Sequence, residues 1–124
     1  MKTILFIEDE SVLQKSFEKM FKKEGYRTLS ALNGDIGLNL TRKEKPDIIL
    51  LDLILPKKNG FEVLAELKSD PETKDIPVII LTNLERTEDI DKALEIGATT
   101  YLVKTNYTLK EIIEKVEKIL NPES

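Results

Sequence analysis

The chain predicts an α/β fold, a five-stranded parallel sheet in the order 2-1-3-4-5, doubly wound with helices on both faces. Three observations predict it. Short apolar runs alternate with amphipathic stretches of helical period five times along the 124 residues, and such alternation forces right-handed crossovers onto a parallel sheet. The runs at 3–7, 48–51 and 78–81 are the most apolar, as strands covered on both faces must be, whereas those at 26–31 and 99–103 carry more polar residues and belong outside. Polar residues able to do chemistry stand directly after the runs, where ligands of open α/β sheets bind.

Each element has its own warrant. Residues 3–7 form an apolar strand closed by Glu8-Asp9-Glu10. From Ser11, the residues Leu13, Phe17, Met20 and Phe21 recur at helical spacing with lysines on the other face, until Gly25 offers a C-cap. Residues 26–31 alternate as a half-buried strand near an edge. Asn33-Gly34 then turns the chain into a weaker helix over 36–44, stopped by Pro46. The run 48–51 leads to Asp52, with Pro56 and Gly60 shaping the turn behind it; proline presets one dihedral and glycine admits a positive one. Phe61, Leu64 and Leu67 mark a helix ended by Ser69-Asp70-Pro71. The run 78–81 closes on Thr82-Asn83, a helix over 85–96 is capped by Gly97, and the strand 99–103 ends at Lys104. The last helix, about 109–120, has the cleanest period. The whole is flavodoxin-like in topology, with its switch point between the first and third strands.

Composition narrows the function. Residues 1–124 suit one domain, and 40% hydrophobic residues with five Gly and five Pro leave no linker or disordered tract. A net charge of −4 argues against a nucleic-acid surface. The absence of cysteine excludes disulfides and thiolate metal sites, and the absence of histidine means that any histidine phosphodonor is another molecule. The apolar run at 4–7 is too short for a signal peptide or membrane span, so no membrane partner and a cytoplasmic location are the simplest expectation.

The predicted sheet order brings four strand ends to one crevice: Glu8, Asp9 and Glu10, then Asp52, Thr82 and Lys104. Singly, each has a plain reading: an acid can cap a helix or close a turn, Lys104 can be a surface lysine, and Thr82 can simply end a strand. Together they do chemistry. Clustered carboxylates repel each other unless one takes a proton or a cation sits among them, and oxygen ligands beside phosphate favour magnesium. Lys104 can hold a phosphoryl oxygen, Thr82 can donate to another, and an Asp carboxylate is a known nucleophile in aspartyl-phosphate chemistry.

Over nearly its whole length the chain resembles the receiver domain of two-component response regulators. The matching pieces are Ile7-Glu8-Asp9-Glu10, Leu51-Asp52-Leu53-Ile54-Leu55-Pro56 with Gly60, Ile80-Leu81-Thr82, and Tyr101-Leu102-Val103-Lys104. The resemblance implies a phosphorylation-activated signalling switch that is no enzyme beyond its own phosphoryl acceptance and loss. It implies that Asp52 takes phosphoryl from a histidine kinase or histidine phosphotransfer protein. Magnesium would be held by Asp9, Asp52 and the main-chain carbonyl of Ile54, with Glu8 acting through water. Thr82 and Lys104 would bind phosphoryl oxygens, and Thr82 and Tyr101 would switch, changing the face of the fourth helix, fifth strand and fifth helix toward a downstream protein target. Tyr101 reads equally well as a half-buried edge aromatic. Lys104-Thr105 departs from the family's usual Lys-Pro with its cis bond; a cis bond before Thr105 would cost about 2.5–4 kcal/mol, and the sequence leaves cis or trans open there. Two rivals share the fold. A flavodoxin-like electron carrier would need a phosphate-binding first loop, which Glu8-Asp9-Glu10 would repel; a receiver-like interaction module that is never phosphorylated would have no use for the full set of site residues. An Asp-nucleophile phosphatase would want a second acid where Ile54 stands.

Overall fold

The structure, a computed structural model, describes residues 1–123. Strand and helix alternate as β1 (Thr3–Ile7), α1 (Ser11–Lys23), β2 (Arg27–Ala31), α2 (Gly34–Glu44), β3 (Ile48–Leu51), α3 (Gly60–Ser69), β4 (Val78–Thr82), α4 (Thr87–Ile96), β5 (Thr100–Val103) and α5 (Leu109–Leu120), with a 3₁₀ turn at Lys104–Asn106 before the last helix. The strands are parallel in the order β2-β1-β3-β4-β5. The order and the two outer strands are as the sequence predicts.

Side chains alternate across each strand, so every strand feeds two cores. Leu5, Ile7, Ile49, Leu51, Val78 and Ile80 pack under α2, α3 and α4, meeting Leu38, Leu64 and Ala93. Ile4, Phe6, Ile48, Leu50, Ile79 and Leu81 face α1 and α5, meeting Phe17, Phe21, Ile112 and Val116. On that side Phe6 and Phe17 stack with ring centroids 5.3 Å apart. α2 lies so close to β1 that a Cβ at Gly37 would be 2.7 Å from Ile7 Cγ1, which is why no larger residue stands there.

Element ends differ from the sequence reading where a cap decides them. α2 starts at Gly34 rather than 36 because the Asn33 side chain accepts from the Ile36 N–H at 2.9 Å. α4 starts at Thr87 rather than 85, with Arg86 at its N-cap, and β4 runs on through Thr82. Gly25 (φ 91) and Gly97 (φ 132) do close their helices with positive φ, as glycines past a helix end should. Gly60 does not. In the loop behind Asp52 the positive φ falls on Lys57 (68°), inside a three-residue turn closed by the Lys58 N–H on the Pro56 carbonyl at 2.8 Å. Gly60 is required for a different reason: a Cβ there would collide with the Asp52 carbonyl oxygen and Leu53 Cα. The Lys104–Thr105 bond is trans, since the described residues hold no cis bond. α5 then begins in a full capping box, Thr108 accepting from Glu111 N–H and Glu111 from Thr108 N–H.

Candidate functional site

The parallel ladder carries the acids to their places. The Asp52 N–H donates to the Ile7 carbonyl at 3.0 Å, continuing the β1–β3 pairing one step past the strands, and the Glu8 N–H donates to Ala31 O at 3.0 Å on the other side of β1. Glu8 and Asp52 thereby become neighbours at the carboxyl edge of the sheet, 6% and 5% exposed. Thr82 is fully buried at the end of β4, in register with Val103, and so one residue short of Lys104.

Lys104 stands at the centre of the charge. Its Nζ lies 2.8 Å from Asp52 Oδ2 and 3.3 Å from Glu10 Oε1, and it pairs with Glu8 Oε1. Burial alone would lower its pKa, but the bonds to Asp52 and Glu8 prevail and raise it, so the ammonium persists at neutral pH. Burial pushes the Glu8 carboxyl up to about 7, with the nearby charge of Asp52 adding to the rise and the Lys104 bond opposing it. The other oxygen of Asp52, Oδ1, accepts the Ile54 N–H at 3.0 Å. The turn role that an Asp at a strand end suggests is therefore real, and it occupies one oxygen while the ammonium holds the other.

Carboxylate oxygens of Glu8, Asp9 and Asp52 all lie within 4.8 Å of one another. Three hard oxygen donors at such spacing fit a divalent cation of the magnesium type, with Asp9 exposed and the other two buried. The helix-cap reading of these acids fails: Glu10 occupies the N-cap of α1 and its side chain makes no capping bond. Ile54 is joined to the site through its backbone, its side chain turned out at 52% exposure. Tyr101 lies on the α4 side, half-buried, its hydroxyl on the Leu84 carbonyl; burial, then the charges of Asp89 and Asp52, push its pKa up to about 12.

Gln14 belongs to the site although apolar spacing does not mark it. This buried amide donates to the Glu8 carbonyl at 2.6 Å and the Ala31 carbonyl at 2.9 Å, clamping the ends of β1 and β2 under the acids. The signal was present in the spacing, for Gln14, Phe17 and Phe21 lie on one helix face, three and then four residues apart.

Comparison with known proteins agrees with this geometry. The family model described as the response regulator receiver domain matches residues 4–117, and the chain belongs to that family. It is 36% identical over 117 residues to sporulation initiation phosphotransferase F of Bacillus subtilis, covering 94% of this chain and 92% of that protein. It is 34% identical over 117 residues to the probable transcriptional regulator ycf27 of Guillardia theta, covering 94% of this chain. Of that regulator it spans only 44% of the length. Among solved structures it is similar to the receiver domain of a sensor histidine kinase of Pseudomonas aeruginosa PAO1, which has a magnesium ion coordinated in the active-site cleft. That likeness has a TM-score of 0.85 at 26% identity over 96% of this chain and 97% of that one. Receiver domains of this family are the signalling domains of two-component response regulators. No described helix is long and apolar enough to cross a membrane.

Proposed function

We propose that residues 1–124 work as one receiver unit in which Asp52 accepts a phosphoryl group from the histidine of a kinase or phosphotransfer protein. The observation that carries this reading is the buried Asp52 carboxylate held 2.8 Å from the Lys104 ammonium beside Glu8. A carboxylate oxygen of Asp52 attacks phosphorus, the bond from phosphorus to the donor nitrogen breaks, and the donor imidazole leaves with the electron pair. Ile54 N–H and Lys104 hold the carboxylate in place for attack, so little orientation remains to be found when the donor docks. Lys104 then binds an oxygen of the transferred group, and the Thr82 hydroxyl, at the next strand end, donates to another.

Glu8, Asp9, Asp52 and the Ile54 carbonyl would hold magnesium, which when bound neutralises negative charge shared between the acids and the phosphoryl oxygens. The magnesium in the P. aeruginosa kinase receiver supports the same ion here. The output of the switch is a change of the face built from α4, β5 and α5, passed through Thr82 and Tyr101 to a downstream protein, and a cytoplasmic location belongs to the same reading. The test is intact mass after incubation with acetyl phosphate and magnesium. One phosphoryl adduct is expected in wild type and none in Asp52→Ala or in chelator; an adduct that persists in either would overturn the assignment.

A further inference from the structure

An ammonium has three N–H donors, and three carboxylates lie within reach of Lys104: Glu8, Asp52 and Glu10. No donor is left over for a phosphoryl oxygen. A phosphoryl oxygen arriving at Lys104 has to displace one of these partners or share its N–H. The three are unequal. The side chains of Glu8 and Asp52 are 8% and 5% exposed, so water cannot take up the hydrogen bond that either would lose on leaving the ammonium. Glu10 is 58% exposed and its contact is the longest of the three, so water can solvate its carboxylate as soon as it lets go. Glu10 also shares with Lys104 the wall of an open groove of about 340 Å³, which reaches Asn83 and Thr105.

Resting on the assignment of Asp52 as acceptor, we propose that Glu10 is a placeholder for the phosphoryl group, holding the one N–H of Lys104 that a phosphoryl oxygen takes over. Its carboxylate has the same sign and the same hydrogen-bond chemistry as the group it gives way to. Two consequences follow from that likeness. Before transfer, Glu10 keeps the ammonium fully paired and the Lys104 side chain set toward Asp52. During transfer, it competes with the incoming dianion and repels it, so capture from a small, free acyl phosphate is slowed. In that reaction an Asp52 oxygen bonds to phosphorus, the bond from phosphorus to the acyl oxygen breaks, and the carboxylic acid leaves as its anion, with no proton required.

The experiment compares the rate of Asp52 phosphorylation by acetyl phosphate in wild type, Glu10→Gln and Glu95→Gln, the last removing an equal charge from an exposed position on α4. Glu10→Gln keeps the backbone N–H that donates to Glu8, and its melting temperature serves as the check on folding. The expected result is a rate about two- to fivefold above wild type in Glu10→Gln, the range a partly exposed ion pair supports. The gain should shrink as salt is raised, and Glu95→Gln should match wild type. A Glu10→Gln rate equal to or below wild type, a gain indifferent to salt, or an equal gain in Glu95→Gln would each overturn the proposal. If wild type itself took no phosphoryl group on Asp52, the acceptor assignment would fall and this proposal with it. If wild type is labelled on Asp52 and Glu10→Gln is unchanged, this proposal alone falls.

Discussion

The Tyr101 hydroxyl donates a hydrogen bond to the Leu84 carbonyl at 2.8 Å, tying the middle of β5 to the backbone two residues beyond Thr82. The ring packs against the core under α2, α3 and α4, so the tyrosine is anchored at both ends. The position of Thr82 and that of Tyr101 are thus linked by one short bond and two peptide units.

Removing that bond is the first test. Tyr101→Phe keeps the ring and leaves the Leu84 carbonyl without its partner, which should destabilise the fold by about 1 kcal/mol. The melting temperature should drop by a few degrees. Titration provides a second readout of the same group. A pKa raised in the folded state contributes stability in full below the unfolded value of about 10 and loses it as pH rises through the folded value of about 12. A tyrosinate absorbance step near 12 is expected in wild type and should vanish in Tyr101→Phe; a Tyr101 phenol that ionises near 10 would contradict the buried, anion-flanked setting.

Magnesium should stabilise the protein. A ligand bound only by the native state adds RT ln(1 + [L]/Kd), about 2.7 kcal/mol at a concentration of 100 Kd. Asp9→Ala removes the exposed member of the three-acid cluster, and the magnesium-induced rise in melting temperature should be much smaller in it. An equal rise in wild type and variant would place the metal elsewhere.

Two glycines should fail in different ways. Gly60→Ala puts a methyl group against the Asp52 carbonyl and Leu53, both backbone, so the loop behind Asp52 has to move. We expect a loss of about 1–3 kcal/mol together with slower phosphorylation of Asp52. Gly25→Ala meets no atom within 4 Å but sits at φ +91°, so its strain is local. It should cost about 1 kcal/mol and leave the phosphorylation rate alone. Denaturant unfolding and labelling rates, measured on both variants, decide whether space at Gly60 matters to the site.

The lifetime of the aspartyl phosphate should be long. Hydrolysis needs a water in line with phosphorus, and the side chains two residues past Asp52 and two past Thr82 are Ile54 and Leu84, which cannot hold one by hydrogen bonding. Ile54 stands exposed two residues past Asp52 while Leu84 leans on the core, so Ile54→Asn should speed loss of label more than Leu84→Glu. If neither variant loses label faster than wild type, shielding by these side chains does not set the rate.

Much of the architecture and the site was legible in the chain. Fully apolar runs marked the inner strands, and the period of Ile112, Ile113, Val116 and Leu120 marked α5. The strand-end positions of Glu8, Asp52 and Lys104 brought them into contact at one edge of the sheet, with Thr82 ending the strand between those of Asp52 and Lys104. Gly60 is required for space and not for its φ: a glycine in a loop signals either positive φ or close approach, and only the packing of that loop on Asp52 distinguishes them. Gln14 escaped because attention to apolar spacing passes over a polar residue on the buried face, although two strand-end carbonyls need its donors.

By itself the sequence determined the order of elements, the sheet topology and which residue types reach its carboxyl edge, because period and apolar patterning are local properties that survive without knowledge of neighbours. Tertiary structure alone decided the pairings at that edge. Lys104 lies 94 residues from Glu10 and 52 from Asp52 along the chain, and which carboxylates share its three donors depends on side-chain reach across strands. The same holds for Tyr101 on Leu84. Hydrogen bonds and ion pairs demand contact within a few tenths of an ångström, a precision that a pattern of residue types along a chain does not contain.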